Sequence, residues 1–321
     1  MRKMNVIRTV AALAVLFVGG CVSIPAPGVK PLIEKAVGGT GADKVLLIDI
    51  SGLISDKEER GVLGFQTAPR LTARIREELD KASEDKRVKA VVLRIKTPGG
   101  EVTTSDIVHH EIKRFKEKSE VTVVAELMGI ATSGGYYIAS AADEIIAHPT
   151  TVTGAIGVVA YRINATGLME KIGLTDETIK SGEKKDMGSP IRPMADEERE
   201  LLQAIIDSMF ERFLDAVKEG RPGMDEAALK EVSDGRVYTA EQALKLGLID
   251  RIGYMEDAIE RAKERAGIEE ARVVAYARPG DYRSNIYSSS KLAAPSTVNL
   301  INIDADFLKG PGMRFMYLWM P

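Results

Sequence analysis

The segment Met128 to Ala139 reads Met-Gly-Ile-Ala-Thr-Ser-Gly-Gly-Tyr-Tyr-Ile-Ala, an apolar strand running into a turn of small residues. Ser133 sits where the next helix begins. That position exposes a hydroxyl, aims a helix N-terminus at it, and leaves glycines that let a substrate approach the backbone. Ala131-x-Ser133-x-Gly135 is a relaxed nucleophile elbow, weak alone because most Ser-Gly-Gly turns are only turns. Thr97-Pro98-Gly99-Gly100 follows a second apolar strand. Its Gly100 amide, paired with that of Gly134, can form an oxyanion hole; the plainer reading is a tight strand-to-helix turn. A serine nucleophile needs a base. His109 and His110 lie side by side on a helix with Glu111, on a face expected to be partly solvated, and His148 precedes Pro149 with no orienting acid. Lysine is the alternative, although an ordinary lysine is neutral only about once in 2,500 molecules at pH 7. Burial or positive neighbours must then lower its pKa. The loop Lys180-Ser181-Gly182-Glu183-Lys184-Lys185-Asp186 offers a cluster, and spacing does not choose among its lysines. Ser-x-x-Lys pairs at Ser83/Lys86, Ser181/Lys184 and Ser288/Lys291 fall in polar segments and read as chance.

The elements that must carry these residues alternate at short spacing. Val45 to Ile50 reads as a buried strand, Ala68 to Glu84 as a helix, Ala90 to Ile95 as a strand, Ser105 to Phe115 as a helix and Val121 to Leu127 as a strand. A helix follows Ser133, and Glu144 to Ala147 is again strand-like. The alternation predicts an α/β fold whose parallel strands are covered on both faces. The second half is more helical. Asp196 to Glu219 spaces Leu201, Leu202, Ile205, Met209, Phe213 and Val217 as one apolar face. Shorter helices at Asp225 to Val232, Ala240 to Leu246 and Met255 to Ala266 follow, then a strand at Val273 to Ala277. The tail from Arg278 is rich in Ser, Asn, Pro and Gly and ends in the apolar residues Phe315, Tyr317, Leu318 and Trp319.

Composition excludes several classes. The 321 residues carry 44 Lys and Arg against 47 Asp and Glu, a formal charge of −3, with no basic excess for nucleic acid. Three histidines and one cysteine nearly exclude a multi-ligand zinc site and exclude an intrachain disulfide; no cofactor or metal is expected. At the start, Arg2, Lys3 and Arg8 precede the apolar run Val10 to Val18, far shorter than the ~20 residues of a spanning helix. The run ends in Val18-Gly19-Gly20-Cys21, which resembles the lipobox of bacterial lipoproteins. That resemblance implies a signal peptide at 1–20, lipid attachment at Cys21, and a protein tethered to the bacterial cell envelope facing away from the cytoplasm. Residues 21–42, rich in Pro and Gly, read as a linker to the folded body.

Three glycine-rich segments carry a further resemblance: Arg94 to Gly100, Ala131 to Ala139 and Thr153 to Val158. Lys180-Ser181-Gly182 with Lys185-Asp186, then Asp234 to Tyr238, then Ala243 to Asp250 continue it in order. Together they resemble the signal peptide peptidase (SppA) family in its short, single-repeat form, over roughly Val45 to Ala266. The resemblance implies a ClpP/crotonase-like fold of repeated strand-strand-helix units with a helical second half, and a peptidase domain at 43–277. It implies a serine endopeptidase acting on remnant signal peptides or unfolded peptides. Ser133 is then the nucleophile, Lys185 of a neighbouring subunit the general base, and Gly100 and Gly134 the oxyanion donors. A homo-oligomer follows, with the tail at 278–321 docking on a neighbour. One departure is Ala155, where members often carry a serine that helps hold the lysine; Thr153 or Ser181 is the candidate substitute. Ala155 alone favours the alternative, a non-catalytic envelope scaffold with the same fold. An acyl-CoA enzyme of the crotonase group leaves a serine–lysine pair without purpose.

Overall fold

The computed structural model describes residues 30–57, 59–60, 66–279, 281–288 and 314–320. Cys21 and the expected signal segment lie outside these residues. The strands are β1 (Ile33–Gly39), β2 (Asp43–Ser51), β3 (Glu59–Arg60), β4 (Gln66–Ala68), β5 (Val88–Thr97), β6 (Gly99–Glu101), β7 (Thr122–Thr132), β8 (Glu144–Ala147), β9 (Val152–Gly154), β10 (Val159–Tyr161), β11 (Val237–Thr239), β12 (Arg251–Ile252), β13 (Ala271–Ala277) and β14 (Arg314–Leu318). The helices are α1 (Leu71–Glu84), α2 (Val102–Ser119), α3 (Gly134–Ala139), α4 (Thr166–Lys171), α5 (Asp196–Gly220), α6 (Glu226–Val232), α7 (Ala240–Lys245) and α8 (Met255–Ala266). Strands β3 and β4 form a small antiparallel hairpin of their own.

The main sheet runs β1-β13-β2-β5-β7-β8-β12, with β9 on the far end of β7 and β11 beside β9. From β13 to β12 every pairing is parallel, while β1 and β11 close two edges antiparallel. The central strands are nearly unbroken apolar runs because each is buried on both faces. Alternate residues serve opposite layers. Leu46, Ile48, Val91, Leu93, Val123 and Ala125 pack with side chains of α1, α2, α3 and α5. Val45, Leu47, Ala90, Val92 and Val124 pack under α8 through Met255, Ala258, Ile259 and Ala262. This is the expected α/β arrangement.

Two elements differ from the sequence reading. Residues 33–39 of the expected linker form edge strand β1, which pairs with β13. The sequence hides it because its side chains are mostly exposed, so no alternating apolar pattern marks it. The tail expected to reach a neighbouring subunit pairs, as β14, with β6 and β10 of its own chain.

Glu126, in mid-β7, is fully buried, and neither carboxylate oxygen has a hydrogen-bond partner among the described residues. Burial, reinforced by Asp257 and Glu256, pushes its pKa up to about 9. The folded protein therefore holds a proton that the unfolded chain releases above its ordinary pKa of 4.5. Stability from this group falls as pH rises through that window, and at pH 7 the loss is roughly 3 kcal/mol relative to acid. Glu126→Gln is expected to remove that slope. Chemical denaturation of both proteins from pH 4.5 to 9 checks it: the stability difference should grow in the variant's favour with pH.

Candidate active site

Strand β7 runs straight into Ser133, whose backbone is held at φ 54° and ψ −114° before α3 begins. Among the described residues only Glu120, Ser133 and Ala155 are non-glycine residues with positive φ. Such a conformation costs about 1–3 kcal/mol and persists only where its surroundings enforce it. Here the Ser133 amide donates to the Gly154 carbonyl at 2.7 Å, and its own carbonyl accepts from Tyr137 at 2.8 Å. Gly154 takes a positive φ of 88° that glycine adopts freely, and Ala155 (φ 51°) is strained in turn, its amide donating to the Arg236 carbonyl at 2.8 Å. The elbow is thus a braced junction of β7, β9 and β11. The Ser133 hydroxyl makes no hydrogen bond with any described residue, so it is uncommitted. Helix α3 is only six residues long, so local amides, rather than a long helix dipole, must supply charge stabilisation.

Those amides converge. The Gly99 carbonyl accepts from Ile54 at 2.9 Å, and the Glu101 amide donates to the Ile54 carbonyl at 2.8 Å. Because strand amides alternate in direction, the Gly100 amide faces the other way, toward β14, where Tyr317 stands opposite it. A Cβ on Gly99 would lie 2.0 Å from the Tyr317 carbonyl oxygen and 2.9 Å from the Gly134 amide nitrogen. A Cβ on Gly134 would lie 3.2 Å from that same oxygen and 3.3 Å from the Gly100 amide nitrogen. The two expected oxyanion donors and a peptide carbonyl therefore meet in one small space beside Ser133. The glycines are sterically required: a Cβ on Gly100 would lie 1.9 Å from the Ile54 carbonyl oxygen. Gly100→Ala must shift the amide, and a loss of about 10²–10³-fold in kcat is expected, checked by steady-state kinetics beside an unchanged circular dichroism spectrum.

Lys185 lies in an exposed loop, and its ammonium makes no hydrogen bond or ion pair with any described residue, Ser133 included. Its neighbours are engaged: Lys180 pairs with Asp186 at 2.7 Å, and Lys184 pairs with Glu197. The Thr153 hydroxyl donates to the Ala131 carbonyl at 2.7 Å, so it braces the elbow. The histidine reading needs one correction. His109 is buried rather than partly solvated, packs 5.0 Å from the Tyr137 ring, and is pushed down to about 4 by burial and Lys113. It faces inward because residues 105, 108, 109 and 112 form the buried side of α2. His148 hydrogen-bonds Thr150 and pairs with no carboxylate among the described residues.

A feature not foreseen is the occupancy of the groove. Strand β14 lies antiparallel between β6 and β10, with the Trp319 amide donating to the Pro98 carbonyl at 2.9 Å. The apolar side chains at the end of the tail were its sequence signal.

Comparison with known proteins gives the family. Residues 114–269 match the family model described as peptidase family S49. An Enterococcus faecium protein named "Putative signal peptide peptidase SppA" is 37% identical over 238 residues, covering 74% of this chain and 68% of that protein. The chain belongs to peptidase family S49. It is a serine-type peptidase of the signal peptide peptidase type. "Serine protease SPPA, chloroplastic" of Arabidopsis thaliana is 35% identical over 252 residues, which are 77% of this chain and 36% of that one. Among solved structures, a point mutant of ClpP1 from Listeria monocytogenes aligns with 66% of this S49 chain and 94% of its own, at 17% identity and a TM-score of 0.42.

Proposed function

We propose that this chain is an endopeptidase that cleaves extended, apolar peptides such as remnant signal peptides, using Ser133 and the Lys185 of a second copy. In this reading Ser133 Oγ attacks the peptide carbonyl carbon as Lys185 removes the hydroxyl proton. The Gly100 and Gly134 amides stabilise the oxyanion. The C–N bond then breaks, the proton passes from lysine to the leaving amine, and water hydrolyses the acyl-enzyme. The observation that carries the reading is the peptide carbonyl of Tyr317, seated against the Gly100 and Gly134 amides at the strained Ser133 elbow. A groove that takes a strand between β6 and β10 suits an unfolded substrate, which would bind by strand addition.

The second copy is supported by an unpartnered arm. Helix α4 buries no side chain, and Ile163, Leu168, Ile172, Leu174 and Ile179 are more than half exposed in the segment leading to Lys185. Leu201 and Ile205, on the first half of α5, are also exposed, although the periodicity predicts an apolar face there. Contiguous apolar exposure of this kind marks an association surface. A lysine on it would become buried, as a neutral base requires. Among the described residues no helix is long and apolar enough to cross a membrane, and Cys21 is proposed as the lipid tether to the cell envelope.

A fluorophosphonate probe tests the enzymatic reading. Labelling of the purified protein should map to the peptide containing Ser133. Absence of labelling in the oligomer would favour a non-catalytic scaffold.

A further inference from the structure

Gly99 and Gly100 bring no side chain to β6, so a neighbour must hold the Gly100 amide in place. Glu101 supplies the one side chain of β6 and is half-buried. Its Oε2 accepts from the Asp56 amide at 3.1 Å and from the Thr104 hydroxyl at 2.9 Å. Its Oε1 accepts from the Ser55 hydroxyl at 3.2 Å. One carboxylate therefore ties the Ser55–Asp56 loop to the first turn of α2. That loop continues from Ile54, whose main chain fastens Gly99 and Glu101. Asp56 is anchored in turn at the start of α1, where its Oδ1 accepts from the Thr72 hydroxyl at 2.6 Å and the Thr72 amide at 3.3 Å. The Glu101 main chain reaches the second donor. Its carbonyl accepts from the buried Ser105 hydroxyl at 2.9 Å, and a Cβ on Gly134 would lie 2.5 Å from that Ser105 oxygen.

We propose that Glu101 is a positioning residue for the oxyanion hole, its carboxylate clamping Ile54–Asp56 to α2 and so fixing where the Gly100 amide points. The proposal rests on the peptidase reading above and adds a residue to its machinery. The need comes from the glycines. Two successive residues without Cβ, one of them at φ 101°, leave the backbone wide freedom. An oxyanion donor is effective only when its place is set before the charge develops. Ile54 can pin β6 only if it is itself held, and it lies in the connection leaving β2 rather than in a strand. The other side of β6 is the one that β14 takes and that a substrate strand takes in this reading, so the Ile54 side is the fixed one. The clamp needs acceptor oxygens at the reach of glutamate, not charge. Glutamine offers its carbonyl to Asp56 and Thr104 and its N–H to the Ser55 hydroxyl, which turns from donor to acceptor.

Full-length Glu101→Ala, Glu101→Gln and Thr104→Val are assayed with one fluorogenic peptide beside the wild type. Active sites are counted by fluorophosphonate labelling taken to completion, so misfolded chains do not enter kcat. Glu101→Ala is expected to lower kcat by about 10- to 100-fold, less than outright removal of a donor. KM should change by less than about 3-fold, because the oxyanion forms only on the way to the transition state. Inhibition by a peptide aldehyde, whose tetrahedral adduct sets an oxygen against the same amides, should weaken by a similar factor. A merely structural residue would leave kcat per active site and this inhibition unchanged. Glu101→Gln should stay within about 3-fold of wild type. Thr104→Val, which deletes one donor to the clamp, should lose about 3- to 10-fold in kcat. The proposal is overturned if Glu101→Ala keeps the wild-type kcat, if its loss falls in KM, or if Glu101→Gln loses as much as alanine. Should the alanine variant fail to fold, a wild-type kcat in Thr104→Val overturns it equally. Each of those results leaves the peptidase standing. Absence of Ser133-dependent hydrolysis in the wild type would remove the peptidase reading and this inference with it.

Discussion

Replacing Ser133 by alanine is expected to lower peptide hydrolysis by about 10³- to 10⁶-fold, the range seen when a serine peptidase loses its nucleophile. The fold should not follow. The Ser133 hydroxyl has no hydrogen-bond partner among the described residues, and the contacts that hold the elbow run through main-chain atoms. Alanine keeps those atoms and tolerates a positive φ no worse than serine, as Ala155 already does at 51°. Thermal unfolding should therefore shift by little, while fluorophosphonate labelling disappears. A variant that hydrolyses peptides at the wild-type rate would show that another hydroxyl does the chemistry.

The second large effect separates a shared site from a self-contained one. Lys185→Ala alone should also reduce kcat by about 10³-fold or more, since an unassisted serine is a poor nucleophile at neutral pH. The informative experiment mixes inactive Ser133→Ala and inactive Lys185→Ala chains and lets them reassemble. If the lysine crosses from one copy to the next, random mixing pairs an intact serine with an intact lysine at about a quarter of the sites. Activity should return to about that fraction. If each chain uses its own lysine, every site lacks one group and the mixture stays inactive. Among the described residues Lys180 and Lys184 pair with carboxylates of their own chain, whereas Lys185 is exposed and unengaged.

Much of the scaffold could be read along the chain. Helix α8 begins and ends at the residues its periodicity predicts, and β8 likewise. Long buried strands announce themselves by composition, and α5 by its repeat. The failures have particular causes. β1 is an edge strand with mostly exposed side chains, so its place comes from hydrogen bonds to β13 that no local pattern encodes. His109 looks solvated beside His110 and Glu111, yet the phase of α2 turns it toward Tyr137. Glu126 reads as an ordinary strand residue and is instead sealed under α8 without a donor.

The candidate site divides in the same way. Residue order offered Ser133, Gly100 and Gly134 as candidates, because a strained elbow and close backbone approach demand small residues at set places, and that demand is local. Local rules were silent on what faces those amides. Gly100 and Tyr317 are far apart in sequence and meet only through strand pairing, so the groove emerged from tertiary contacts. The four apolar residues at the chain's end had signalled that something must bury them. Where they go depends on an open edge of β6 that exists only once Ile54 has fastened the Gly99–Glu101 segment from the other side.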